Sequence, residues 1–175
     1  MRIFLTGFMG CGKSTVGPEL ARRLGVPFVD LDGEIVRRAG RSIAAIFEQE
    51  GEAGFRSRER EALLATGELA AVVVATGGGC PVSPLNRLWM REHGRIVWLH
   101  LPWVALARRL GAETASRPLW RSPEEAAALY ERRLHAYQDC DLEIAIRADE
   151  DGEAVAARIF ELLGATPDPA RPRPL

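Results

Sequence analysis

Five short apolar runs punctuate the chain, at 3–6, 27–30, 71–76, 95–101 and 142–146. Several are unbroken, as in AVVVA and IVWLHL, and lack the polar alternation of a strand with one wet face. Such runs suit parallel strands covered on both sides. Between them, apolar residues recur at helical spacing over 14–24, 33–48, 52–66, 83–93, 103–110, 123–138 and 152–163. This alternation predicts a three-layer α/β domain built on a parallel sheet of about five strands. Ligands in such sheets sit beyond the carboxyl ends of the strands, so residues that close a strand carry the most functional weight.

Two stretches leave this rhythm. The segment at 111–122, GAETASRPLWRS, is rich in small polar residues, contains a proline and has no period. A loop of that length inside a compact domain is expected to be a mobile lid. Residues 165–175 are proline-rich and expected to be a disordered tail, which leaves one domain over 1–164. Pro18 conflicts locally with the first helix, because it removes the backbone bond to Ser14.

The first apolar run leads into GFMGCGKS, residues 7–14. The spacing G-x-x-x-x-G-K-S between a strand and a helix is that of a phosphate-binding loop. The backbone of Gly10, Cys11, Gly12, Lys13, Ser14 and Thr15 is then expected to hold a nucleotide. Lys13 is the only lysine of the chain, the other 22 basic residues being arginines. It falls where a compact ammonium must reach the β- and γ-phosphates, a task that the planar fork of arginine performs poorly.

Other candidates cluster at strand ends. Asp30 and Asp32, in VDLD, are two apart at the end of the second run, and period two would turn both toward the phosphate loop. There they would serve Mg²⁺ and a substrate hydroxyl, unless Asp32 only caps the following helix. In GEAGFRSRERE, Phe55, Ala62 and Leu63 share one helical face with Glu59 in its middle. A carboxylate there needs a partner. Arg56 is in reach, though it is equally placed to pair with Glu52 on the surface. The third run ends in Gly77, Gly78 and Gly79, which suggests backbone making room for a ligand. Arg117 lies in the expected lid, suited to closing over a γ-phosphate, and Arg133 lies on the next helix. The histidines show no ligand spacing and are read as structural, as are the tryptophans.

Taken together, GFMGCGKSTVG, FVDLDGEI, IFEQEGEAGFRSRERE, ATGGG, RPLW and RRLHAY resemble the shikimate kinase family, in order, from residue 1 to about 140. The resemblance implies a P-loop kinase fold that transfers the γ-phosphoryl of ATP to the 3-hydroxyl of shikimate, on the route to chorismate and the aromatic amino acids. It implies that Lys13 holds the transferring phosphate, with Ser14 on Mg²⁺ and Asp30 in the metal's water shell. Asp32 would orient the substrate hydroxyls and act as base. Arg56, Arg133 and the glycines at 77–79 would hold shikimate, within a substrate-binding region spanning about 32–66 and reaching beyond it. Arg117 would close from the lid. Arg109, with Arg108 the alternative, would stack on adenine. The chain departs from the family where the loop after the last strand reads RADEDGE without its frequent proline, and where His135 replaces a proline. A nucleotide acceptor would instead call for a base-recognition site and arginines aimed at a second phosphate.

Composition adds exclusions. With 23 basic and 24 acidic residues, no net field draws the chain to nucleic acid or to an anionic membrane. Cys11, Cys80 and Cys140 have no metal spacing, so reduced thiols are expected. No signal-peptide pattern or membrane-length apolar run is present. A cytoplasmic monomer acting on small molecules is the expectation.

Overall fold

The computed structural model describes residues 1–112, 122–147 and 150–165. Five strands form one sheet in the order β2-β3-β1-β4-β5, every neighbouring pair parallel. They are β1 (Arg2–Thr6), β2 (Phe28–Asp30), β3 (Val72–Ala75), β4 (Arg95–His100) and β5 (Leu142–Ala145). Each falls on one of the five apolar runs. Seven helices are described: α1 (Lys13–Leu24), α2 (Leu31–Ala39), α3 (Ile43–Ala65), α4 (Pro84–His93), α5 (Trp103–Ala112), α6 (Pro123–Gln138) and α7 (Gly152–Ala165).

The sheet is covered on both faces, as its continuous apolar runs require. Ile3, Leu5, Val73 and Val97 pack into one core with residues of α1, α5, α6 and α7. Their strand neighbours Phe4, Val72, Val74 and Ile96 pack into a second core with α2, α3 and α4. The central strand β1 therefore sends alternate side chains to opposite layers.

The helix expected over 33–48 is in fact two. α2 is capped at its end by Gly40 (φ 65), and two residues later Ser42 caps the start of α3, its hydroxyl accepting a bond from the Ala45 N–H at 3.2 Å. The apolar period carries across the break, but a capping serine ends one helix and begins the next. α3 is itself broken at Gly51 (φ 69, ψ −174), close to where the second expected helix begins. Pro18 leaves α1 uninterrupted. It is exposed, as is Ser14, so the lost backbone bond falls on the wet side.

Two adjacent strands position the site. The chain leaves β1 for β2 on one side, whereas it leaves β3 for β4 on the other. Such a switch opens a crevice at the carboxyl ends. The expected lid lies outside the described residues from 113 to 121, Arg117 with it. So does the tail from 166. Among the described residues, no helix is long and apolar enough to cross a membrane.

Candidate active site

The loop between β1 and α1 closes on itself before the helix begins. The Cys11 N–H donates to the Phe8 carbonyl at 3.3 Å, and the N–H groups of Thr15 and Val16 donate to the Gly12 carbonyl at 3.0 and 2.8 Å. Gly12, the residue before α1, has φ 100, which a side chain would strain, and no side chain caps the helix. The first N–H groups of a helix have no intrahelical partner, and its positive end favours an anion. Here those residues line a cavity of about 500 Å³, together with Gly10, Asp30, Asp32, Gly78 and Arg109. A helix start of this kind suits an anion such as a phosphate. Cys11 lies beneath it, 1 % exposed. The Lys13 ammonium rests inside the loop, donating to the carbonyls of Gly7 at 2.7 Å and Phe8 at 3.1 Å and to Cys11 Sγ at 3.5 Å.

The two aspartates share the cavity, but not by strand alternation. β2 ends at Asp30, and Asp32 already belongs to α2. The cap is Asp30, whose Oδ1 accepts from the N–H groups of Asp32 at 3.0 Å and Gly33 at 3.4 Å. Its Oδ2 accepts from Ser14 Oγ at 3.4 Å. Asp32 is thus freed from capping. Burial raises its pKa above the ordinary aspartate value, and the Asp30 charge adds to this, while Lys13 and Arg56 pull it down.

Glu59 sits on the buried face of α3 with Phe55, Ala62 and Leu63, itself 1 % exposed. Arg56 satisfies both of its expected partners, since a guanidinium carries five donors. Its Nη1 donates to Glu59 at 2.9 Å and its Nη2 to Glu52 at 3.2 Å. Burial raises the Glu59 pKa, with Arg56 opposing it and Asp32 reinforcing it. Arg56 and Glu59 also line a neighbouring hollow of about 420 Å³.

The three glycines provide space. None has a positive φ. A Cβ on Gly77 would stand 2.8 Å from Asp32 Oδ1 and 2.9 Å from Glu59 Oε1. A Cβ on Gly79 would stand 2.5 Å from both terminal nitrogens of Arg56, and one on Gly78 would lie 3.4 Å from Arg133 Nη1. The turn therefore gathers two carboxylates and two guanidinium groups around it. Asp32 Oδ1 and Glu59 Oε1 are the two buried carboxylate oxygens that accept no hydrogen bond among the described residues. Arg133 is 8 % exposed, whereas Arg132 faces outward. Arg109 lines the cavity and Arg108 is exposed.

Tyr137 was not among the candidates from the sequence. Its hydroxyl donates to the Gly78 carbonyl at 2.6 Å. The available signal was its place one turn after Arg133, on the same helical face. Thr76, between β3 and the glycines, also lines the cavity and was missed.

The family model described as Shikimate kinase matches residues 9–164. The shikimate kinase of Geobacter sulfurreducens is 47 % identical over 91 % of this chain and 87 % of its own length. That of Salinibacter ruber is 42 % identical over 97 % and 88 %. A solved structure of shikimate kinase from Acinetobacter baumannii, in complex with shikimate, superposes with a TM-score of 0.87 at 34 % identity, covering 94 % of this chain and 93 % of the other. On this similarity, which extends over most of its length, the chain belongs to the shikimate kinase family.

Proposed function

We propose that the chain carries the activity for which its family is named, moving the γ-phosphoryl of ATP to the 3-hydroxyl of shikimate. The observation that carries this reading is the pair of unpartnered buried oxygens, Asp32 Oδ1 and Glu59 Oε1, flanking Gly77 between Arg56 and Arg133. Buried acceptors without donors are costly in a free protein. They suit a ligand that brings hydroxyls to one end and a carboxylate to the other, which is the polarity of shikimate.

In this reading the loop N–H groups and Lys13 hold the ATP phosphates, and Arg109 faces the base. The hydroxyl oxygen bonds to the γ-phosphorus as the bond from phosphorus to the β,γ-bridging oxygen breaks, releasing ADP. Asp32 accepts the hydroxyl's hydrogen bond and takes its proton. The oxygens of Ser14 and Asp30 are the hard donors Mg²⁺ takes, and one or two of them suffice when phosphate and water complete its shell. Mg²⁺ there would neutralise charge on the phosphate oxygens.

The test is ADP release in a coupled assay, with and without shikimate. Turnover that depends on shikimate and yields shikimate 3-phosphate supports the assignment. ADP release indifferent to shikimate overturns it.

Two predictions bear on the acceptor end. Arg133→Ala removes a charge-assisted donor, a group of bonds worth about 1.5–3 kcal/mol each, so shikimate should bind roughly 10- to 150-fold more weakly. ATP affinity should stay near that of the parent. Loss of ATP affinity with normal shikimate binding would place Arg133 elsewhere. Gly79→Ala is a subtler probe. Gly79 has φ −95 and ψ −15, a conformation alanine adopts freely. The nearest atoms that the added methyl would meet belong to the tip of Arg56, at 2.5 Å. With the guanidinium displaced, the KM for shikimate should rise by roughly tenfold, the worth of one hydrogen bond to a charged group. An unchanged KM would mean that Arg56 does not touch the acceptor.

A further inference from the structure

We propose that Tyr137 is a positioning residue for the acceptor, fixing the Gly78–Gly79 peptide through its hydroxyl while its helix holds Arg133 against the same turn. This rests on the acceptor reading above. The three carbonyls of the glycine turn have three different partners. That of Gly77 accepts from the Cys80 N–H at 3.0 Å and that of Gly79 from the Val82 N–H at 3.1 Å. These are local bonds within a tight turn. The Gly78 carbonyl accepts from Tyr137, 59 residues away, at 2.6 Å. The hydroxyl of α6 thus sets the one peptide plane that the turn's own backbone leaves loose. In a trans peptide the carbonyl and the following N–H point in opposite directions, so holding the Gly78 oxygen also fixes the Gly79 N–H, on the side away from Tyr137.

The tyrosine is anchored for this work. It is wholly buried, and its ring stacks on Trp98 with centroids 6.3 Å apart and an interplanar angle of 23°. Trp98 lies on β4 and stacks in turn on His100 at 4.2 Å. The phenol, carried by α6, is therefore braced against the sheet as it reaches the turn. Arg133, one turn earlier on α6, is held to the same side. Its Nη1 and the Tyr137 oxygen would lie 3.4 and 3.6 Å from a Cβ on Gly78. Burial, partly offset by Arg133, holds the Tyr137 pKa well above that of a free phenol, so the group remains a donor. Tyr137 touches no reacting atom. It acts through the turn and through α6.

Titration calorimetry of the parent, Tyr137→Phe and Gly78→Ala, with shikimate and separately with ATP, tests the inference. Tyr137→Phe keeps the ring and its stacking and removes only the donor. Its Kd for shikimate should rise at least about fivefold, the lower end of the effect of stranding a buried acceptor. Its Kd for ATP should stay within twofold of the parent. Gly78→Ala should give the same split from the other side, because its methyl would fill the space between the turn and α6, in contact with Arg133 Nη1 at 3.4 Å and the phenol oxygen at 3.6 Å. A purely structural tyrosine would lower the melting temperature and leave the shikimate-to-ATP ratio of affinities unchanged, which would overturn the proposal. An unchanged shikimate Kd in Gly78→Ala would overturn it as well, even if Tyr137→Phe failed to fold. A parent that does not bind shikimate sinks the acceptor reading and this inference together, whereas normal binding in both parent and variants sinks this inference alone.

Discussion

Replacing Lys13 with arginine should lower kcat by about 10²-fold or more, although the charge is kept. The reason is space. Lys13 Nζ already sits within 2.7 Å of the Gly7 carbonyl and 3.1 Å of the Phe8 carbonyl. The backbone that holds it is itself tightly packed, since a Cβ on Gly7 would come within 2.6 Å of the Leu99 carbonyl oxygen and 2.9 Å of Cys11 Sγ. A compact ammonium turns among such acceptors and follows a phosphate as it leaves. A planar guanidinium cannot do so without opening the loop. Measured kcat within a few-fold of the parent would remove Lys13 from the transfer step. Chemistry offers an independent check, because Lys13 is the only lysine. An amine-directed reagent should modify Lys13 and the α-amino group, and ATP should protect the former.

Much of this site was legible because each part is a local signal repeated at a strand's carboxyl end. The phosphate loop, the aspartates and the glycines each follow an apolar run, and parallel topology brings strand ends together. What escaped the sequence had three physical causes. Apolar periodicity persists across Gly40, so the break between α2 and α3 was set by a capping serine rather than by the pattern. β2 has only three residues, too short for a period-two argument to reach Asp32, so the right neighbourhood was reached by the wrong geometry. The contact of Arg56 with Gly79 and the bond from Tyr137 to Gly78 join distant parts of the chain, where no spacing rule applies. Arg56 was posed as a choice between two acids, and the fork took both.

Asp32→Asn is expected to lower kcat by about 10²–10⁴-fold, the usual range for loss of a general base, with ATP binding little changed. Asp30 supplies the cap of α2, so the substitution breaks no helix start. The sign of its effect on stability follows from the pKa. Burial raises the Asp32 pKa above its unfolded value. Its contribution to stability is therefore fully present below the unfolded value, near pH 4, and is lost as pH rises through the folded one. At neutral pH the ionised carboxylate is a burden on the fold. Asparagine carries no charge and brings an N–H donor toward Glu59, so the variant should melt at the same temperature as the parent or higher. The same raised pKa predicts the acid limb of the parent's kcat/KM profile. Activity should fall as pH drops through a value above that of an ordinary aspartate, because the base must be ionised. Lys13→Arg should keep that limb, and Asp32→Asn should lose it. A destabilised Asp32→Asn protein with kcat near that of the parent would make Asp32 a structural residue and remove it from the transfer step.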